Sequence, residues 1–174
     1  MPRRLYLAQD LVESCGAVII HRSTRRVCLI RVRTHDYYTL PKGPRNISES
    51  RADAALREVK EETGYTCRML PVQLRNLAPP AGEDSFGPFT HNNVVDEPFM
   101  TEVREVADIP TKIISWYLAE IDETVAKLNG EQKFQPTLLS VDIAKKALQH
   151  GSDREVVDEA MMVLNVSYSD EGRW

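Results

Sequence analysis

The stretch that decides the reading is Gly43-Pro-Arg-Asn-Ile-Ser-Glu49-Ser-Arg-Ala-Asp-Ala-Ala-Leu-Arg57-Glu58-Val59-Lys-Glu61-Glu62-Thr-Gly64-Tyr65. A helix is predicted from about Ser50 to Thr63. Ser50 followed by Asp53 resembles a capping pair, and Gly64 supplies the stop. Ala52, Ala55, Leu56 and Val59 form its apolar stripe. Glu58, Glu61 and Glu62 stand at i, i+3 and i+4, so they share another face. Three like charges on one face cost helix stability unless a cation relieves them. Oxygen-only ligands suit Mg²⁺, with Mn²⁺ as the alternative. Lys42 and Arg45 flank this face. Acids, a divalent cation and nearby bases together point to metal-assisted hydrolysis of a phosphate ester or anhydride.

Outward from this segment, Val12 to His21 and Arg26 to Arg33 read as two strands joined by a hairpin loop. Alternation puts Arg31 and Arg33 on one face of the second strand. Pro41-Lys-Gly-Pro44 is expected to break regular structure. Tyr65 to Leu77 reads as a strand, and Ala78 to Pro98 as a long functional or mobile loop. Phe99 to Val106 and Thr111 to Ile121 read as strands broken near Asp108-Ile-Pro110. A helix follows from Ser140 to His150. Another runs from Ser152 to about Asn165, capped by Ser152 and Glu155. Strands mixed with few helices imply an α/β or α+β fold with a mixed sheet.

The chain has 174 residues, which suits one domain, with its core at about 12–165. Its net charge of −4 argues against a general nucleic-acid binder, DNA included. The charge is uneven: from His21 to Arg45 seven bases face one acid, Asp36, which suggests a local anion site. No apolar run approaches the ~20 residues of a membrane span. The first residues lack the pattern of a signal peptide. Cys15, Cys28 and Cys67 form no C-x-x-C pair, and three is an odd count, which favours reduced core thiols. Cytoplasmic or nuclear placement is the expectation.

An E-x-x-E-E helix alone is more often a solvated face than a site. The whole pattern is more specific. It resembles the signature of the Nudix hydrolases, G-x5-E-x7-R-E-U-x-E-E-x-G-U, with U a bulky aliphatic residue. Gly43, Glu49, Arg57, Glu58, Glu61, Glu62 and Gly64 all match, and only the final U departs, as Tyr65. With ~7% per match, a chance occurrence is on the order of one in a million. The flanking strands and terminal helices extend the likeness over about residues 12–165. The resemblance implies an α/β/α sandwich with the motif as loop–helix–loop. It implies Glu58 and Glu62 as metal ligands, Glu61 as ligand or helper, and the Gly43 carbonyl completing the shell. Glu49 and Arg57 would pair structurally. The general base varies across the family, so a motif glutamate (Glu58 or Glu61) or a later carboxylate, Glu131 or Glu120, is expected to take that role.

The segment Asp36-Tyr37-Tyr38 followed by Leu40-Pro-Lys-Gly43 resembles the branch acting on diphosphoinositol polyphosphates and diadenosine polyphosphates. Tyr38 stands where Trp is usual, and Arg33 matches a frequent phosphate contact. This favours inositol pyrophosphates, with Arg31, Arg33, Lys42, Arg45 and Tyr38 binding substrate. Dinucleoside polyphosphates are the alternative, since Tyr37, Tyr38, Phe86, Phe89, Trp116 or Tyr117 could stack a base. Cap hydrolysis ranks third, because the helix from Ser152 is not basic. A non-catalytic phosphate sensor ranks lowest, because every motif carboxylate is present. His91 reads as an exposed loop residue and Arg104 as a further substrate contact.

Overall fold

The computed structural model describes residues 4–84, 87–107, 109–172 and 174. Its centre is the parallel pair β1 (Leu11–His21) and β9 (Thr111–Ile121), in register from Leu11 opposite Thr111 to Ile20 opposite Glu120. Both strands are covered on two faces, which is why each reads as a nearly continuous apolar run. Alternation then sorts β1. Cys15, Ala17 and Ile19 pack against Ala54, Ala55 and Val59 of helix α1 (Arg51–Thr63). Val18 and Ile20 join the other core with Val156, Val157, Ala160 and Leu164 of helix α3 (Gly151–Ser167). The result is the expected α/β/α sandwich.

The remaining strands build outward. The main sheet runs β10 (Phe134–Leu139), β2 (Arg26–Val32), β1, β9, β5 (Cys67–Met69). Three further strands attach: β3 (Tyr37–Thr39) to β2, β4 (Lys42–Pro44) to β1, and β8 (Met100–Arg104) to β9. All pairings except β1–β9 are antiparallel, so the sheet is mixed. The sheet also forks. β1 pairs with β2 only through Ile19–His21, and lower down it pairs with β4 through Ser14–Gly16. β2 meanwhile continues against β3 and β10. The gap between the diverging strands becomes the cleft described below.

Several local expectations change. Pro41 to Pro44 was expected to be irregular. Instead Lys42–Pro44 forms β4, because Gly16 lets the segment lie against β1: a Cβ there would sit 2.6 Å from both Lys42 Cβ and the Pro41 carbonyl oxygen. The predicted strand from Tyr65 to Leu77 breaks at Leu70-Pro71 into β5 and β6 (Val72–Asn76). The segment read as one long loop contains β7 (Phe89–Val94), paired with β6 in a separate two-stranded sheet. Its polar sequence hides it, since this hairpin relies on backbone pairing. β10 was not foreseen because Pro136 reads as a breaker, yet it is an edge strand, where proline is tolerated. Helix α2 (Val141–Ala147) stops before His150. The cap of α3 is His150, not Ser152. The chain before it docks on β3, with the Gln149 N–H donating to the Tyr38 carbonyl at 3.2 Å, so the helix starts earlier. Asp108 and Phe86 lie outside the described residues. Among the described residues no helix is long and apolar enough to cross a membrane.

Glu13 ties the motif loop to this frame. One oxygen accepts from Arg45 Nε at 2.8 Å, the other from Arg51 Nη2 at 2.7 Å. The hydrogen bonds from Arg51 and Arg45 hold its pKa below the ordinary 4.5. A depressed carboxylate stabilises the fold above its unfolded pKa, and that contribution disappears as pH falls through the folded value. The wild type should therefore lose this support below about pH 4.5. Glu13→Gln is expected to cost ~1 kcal/mol at pH 7 and to lose less on acidification, as urea titrations from pH 7 to 3 would read. Equal acid slopes for the two proteins would refute the assignment.

Candidate active site

Helix α1 carries the acids, and its ends place them. Ser50 Oγ accepts from the Asp53 N–H at 3.0 Å and donates to its carboxylate at 2.7 Å. At the other end Gly64 adopts φ +75°, and its N–H donates to the Lys60 carbonyl. A Cβ on Gly64 would overlap the Leu128 carbonyl, so the glycine also admits the returning loop. That loop is pinned to the helix end: Leu128 N–H donates to Gly64 O at 2.9 Å and Glu131 N–H to Glu61 O at 2.8 Å.

Glu58 and Glu62 lie one turn apart and are each only 7% exposed. Glu62 Oε2 accepts the Lys42 backbone N–H at 2.9 Å. Burial pushes its pKa up to about 8, and the neighbouring Glu58 and Glu131 charges add to the shift. Burial also raises Glu58; Arg57 opposes this, and Glu61 and Glu131 add to it. Glu58 lies against Gly43 so closely that a Cβ there would overlap its carboxylate.

Arg57 is the hub of the motif. Its guanidinium donates to Glu49 at 2.8 and 3.0 Å, to the Pro44 carbonyl at 2.9 Å, to Glu58 at 2.6 Å and to Glu61 at 3.0 Å. Glu49 in turn accepts the Asn46 N–H at 2.9 Å. Helix, loop and β4 are thereby locked together through one cation.

Beside Glu62 the fork in the sheet opens a cleft of about 350 Å³. Ile30 and Val32 of β2 line it with Tyr37 and Thr39 of β3, their register partners. Lys42, Arg104 and Lys133 bring positive charge, and His35, Phe134 and His150 add rings. Tyr37 meets His150 edge-on at 5.8 Å between centroids, and Lys133 lies over Phe134 at 4.7 Å. Burial lowers the Lys42 pKa, helped by Lys112 and Arg104 and opposed by Glu62.

This geometry redistributes the expected substrate contacts. Lys42 lines the cleft. Arg31 alternates to the face opposite Ile30 and Val32 and pairs with Asp36, and Arg33 stands in the turn after β2, its N–H donating to the Lys133 carbonyl at 3.0 Å. Tyr38 packs on the α3-side core, whereas its neighbour Tyr37, one step of strand parity away, faces the cleft. Arg45 is bound by Glu13. Glu120 is buried on β9, 2.6 Å from Arg68 and 3.3 Å from Arg22, on the strand parity that faces α3 and not α1. Trp116 is fully buried core, Tyr117 packs under α1, and Phe89 lies in β7. His91 bonds the Ala78 carbonyl. Glu131 pairs with Lys133 at 2.7 Å. Tyr37 and Arg104 were noted in the sequence. His35, Lys133, Phe134 and His150 were not, because nothing in their spacing links them to the motif.

Buried carboxylates, with a further acid beside them and one guanidinium among them, are hard oxygen donors short of positive charge. That composition fits a hard divalent cation. Among the described residues no three ligating side chains already converge as a ready-made set.

The sequence matches the NUDIX domain family over residues 12–160. A comparison with curated proteins finds no match. Among solved structures, the chain is similar to a NUDIX hydrolase from Nitrosomonas europaea at 15% identity. That match covers 94% of this chain and 96% of the other, with a TM-score of 0.60. It is also similar to a C. elegans Ap4A hydrolase (16% identity, 88% and 97% covered, TM-score 0.61). An E. coli dihydroneopterin triphosphate pyrophosphohydrolase gives 18%, 88%, 95% and 0.52. At such identities the structural likeness shows the fold; the family rests on the sequence match and the complete motif. The chain belongs to the Nudix family, hydrolases of phosphate-containing substrates that generally use divalent metal ions.

Proposed function

We propose that the protein cleaves a phosphoanhydride bond of a dinucleoside polyphosphate, with Mg²⁺ as its metal. The observation that carries this reading is the composition of the cleft. Aromatic rings at His35, Tyr37, Phe134 and His150 line the same cleft as the cations Lys133, Lys42 and Arg104 and the carboxylate of Glu62. Rings can stack a base while cations hold its phosphates. An inositol pyrophosphate needs many cations and no ring. Of the arginines expected to meet that need, Arg31 is paired with Asp36 and Arg45 with Glu13, and neither lines the cleft.

Glu58, Glu62 and the Gly43 carbonyl would hold Mg²⁺, with Glu61 at its rim. When bound, it would neutralise phosphate charge and acidify water. Lys42 and Lys133 would bind phosphate oxygens and offset the charge that develops on the leaving phosphate. Glu131 would take the proton of the attacking water, since it is within electrostatic reach of Glu58 and Glu62 and less buried than either. Arg57 would orient Glu58 and Glu61.

A product-resolved turnover assay with Mg²⁺ tests this, using diadenosine tetraphosphate, a diphosphoinositol polyphosphate and capped RNA side by side. Cleavage of the first with the highest kcat/KM is expected. Preference for the inositol compound would return the assignment to a polycationic site. No turnover of any would favour a phosphate-sensing module.

A further inference from the structure

Asp153 is fully buried at the N-terminal turn of α3 and has a carboxylate oxygen without a hydrogen bond. Its Oδ2 accepts from Thr39 Oγ1 at 2.8 Å. Its Oδ1 lies 3.6 Å from Arg104 Nη2, close enough for ion pairing and too far for a hydrogen bond. Arg104 is gripped on its other side by Glu102, at 2.6 Å through Nε and 3.1 Å through Nη2. Glu102 is anchored in turn by Trp116 Nε1 at 3.3 Å. Thr39 and Arg104 both line the cleft. Burying a carboxylate is costly, and leaving one oxygen unbonded costs more. A surface arginine does not need two carboxylates behind it. An arginine whose direction matters does.

The two carboxylates engage Nε and Nη2, and among the described residues Nη1 makes no hydrogen bond. Lys42 connects this cluster to the acids of α1. Its backbone N–H is on Glu62, and its ammonium is within electrostatic reach of Arg104 and Asp153. We propose that Arg104 binds the substrate phosphate chain through its free Nη1 edge, and that Asp153 is the positioning residue that aims it. This rests on the polyphosphate reading above, and it assigns the contact for phosphates other than the one attacked.

The test uses the full chain with Mg²⁺ and two readouts: calorimetric binding of inorganic tripolyphosphate, and steady-state hydrolysis of diadenosine tetraphosphate. Arg104→Gln should weaken tripolyphosphate binding and raise KM by about tenfold, with kcat within about twofold. Asp153→Asn keeps the acceptor for Thr39 and removes the charge. It should raise both constants several-fold in the wild-type background and by clearly less in the Arg104→Gln background, where only its field on Lys42 remains. Additive losses in the double variant would overturn the positioning role. So would an Asp153→Asn protein that melts earlier but binds normally. Wild type that fails to bind tripolyphosphate would overturn the subsite altogether. If the wild type binds tripolyphosphate but does not cleave the dinucleotide, the substrate reading fails and the binding comparison still decides the role of Arg104.

Discussion

Glu62→Gln is expected to lower kcat by about a thousandfold or more while leaving the metal-free protein at least as stable as wild type. The activity loss follows from removing a buried anionic oxygen donor from the only strongly desolvated acid pair on α1; several kcal/mol of transition-state stabilisation correspond to at least that factor. The stability has the opposite sign because the native charge is unfavourable. Burial, with Glu58 and Glu131 nearby, raises Glu62 from 4.5 to about 8. The folded state therefore holds its proton more tightly than the unfolded state does. This contribution is fully present below about pH 4.5 and is lost as pH rises through about 8. Metal-free wild type should weaken across that window, and the glutamine variant, which still can accept from the Lys42 N–H, should not. Thermal melts in chelator from pH 5 to 9 would show it. An inactive variant that also melts well below wild type at pH 8 would mean that Glu62 is a structural anion. Retained turnover would remove it from the metal site.

Gly43→Ala should be nearly as damaging to activity, for a steric reason. A Cβ at residue 43 would occupy the position of the Glu58 carboxylate. β4 cannot retreat to make room, because Gly43 is paired with Cys15 of β1 and Gly16 packs directly on Lys42. The carboxylate must move instead, which breaks its 2.6 Å bond to Arg57. We expect a stability loss of ~1–3 kcal/mol from overpacking and a fall in kcat of at least about a hundredfold. Calorimetric Mg²⁺ titration separates the causes. Weakened metal binding, beyond what a melt lowered by several degrees accounts for, is the expected pattern, and undiminished metal affinity and turnover would show that the close approach of Gly43 has no role in catalysis.

The motif was legible because its logic is local. Helix periodicity puts Glu58 and Glu62 together whatever the rest of the chain does. Ser50 and Gly64 cap the helix through bonds that span four residues. The i to i+4 contact of Arg57 with Glu61 follows from the same spacing. The largely apolar segments of β1 and β9 were legible as strands.

The cleft was not legible in this way. Arg31 and Arg33 were expected on one face of one strand; β2 ends at Val32, so only Arg31 keeps that parity, and which face meets the cleft depends on where the sheet forks. That is set by the pairing of β1 with β4, far away in sequence. The choice between Tyr37 and Tyr38 turns on the same parity, because one step along a strand reverses a side chain. Nothing in the sequence singled out Asp153; it is buried in the first turn of α3, which starts where the preceding chain docks on β3. Lys133, Phe134 and His150 enter the site only through long-range packing. The sequence by itself determined the acid-bearing helix and the strand character of β1 and β9, since hydrogen bonding and periodicity act over a few residues. The substrate cleft was decided only by tertiary structure, because it lies between strands whose separation depends on pairings that no local pattern encodes.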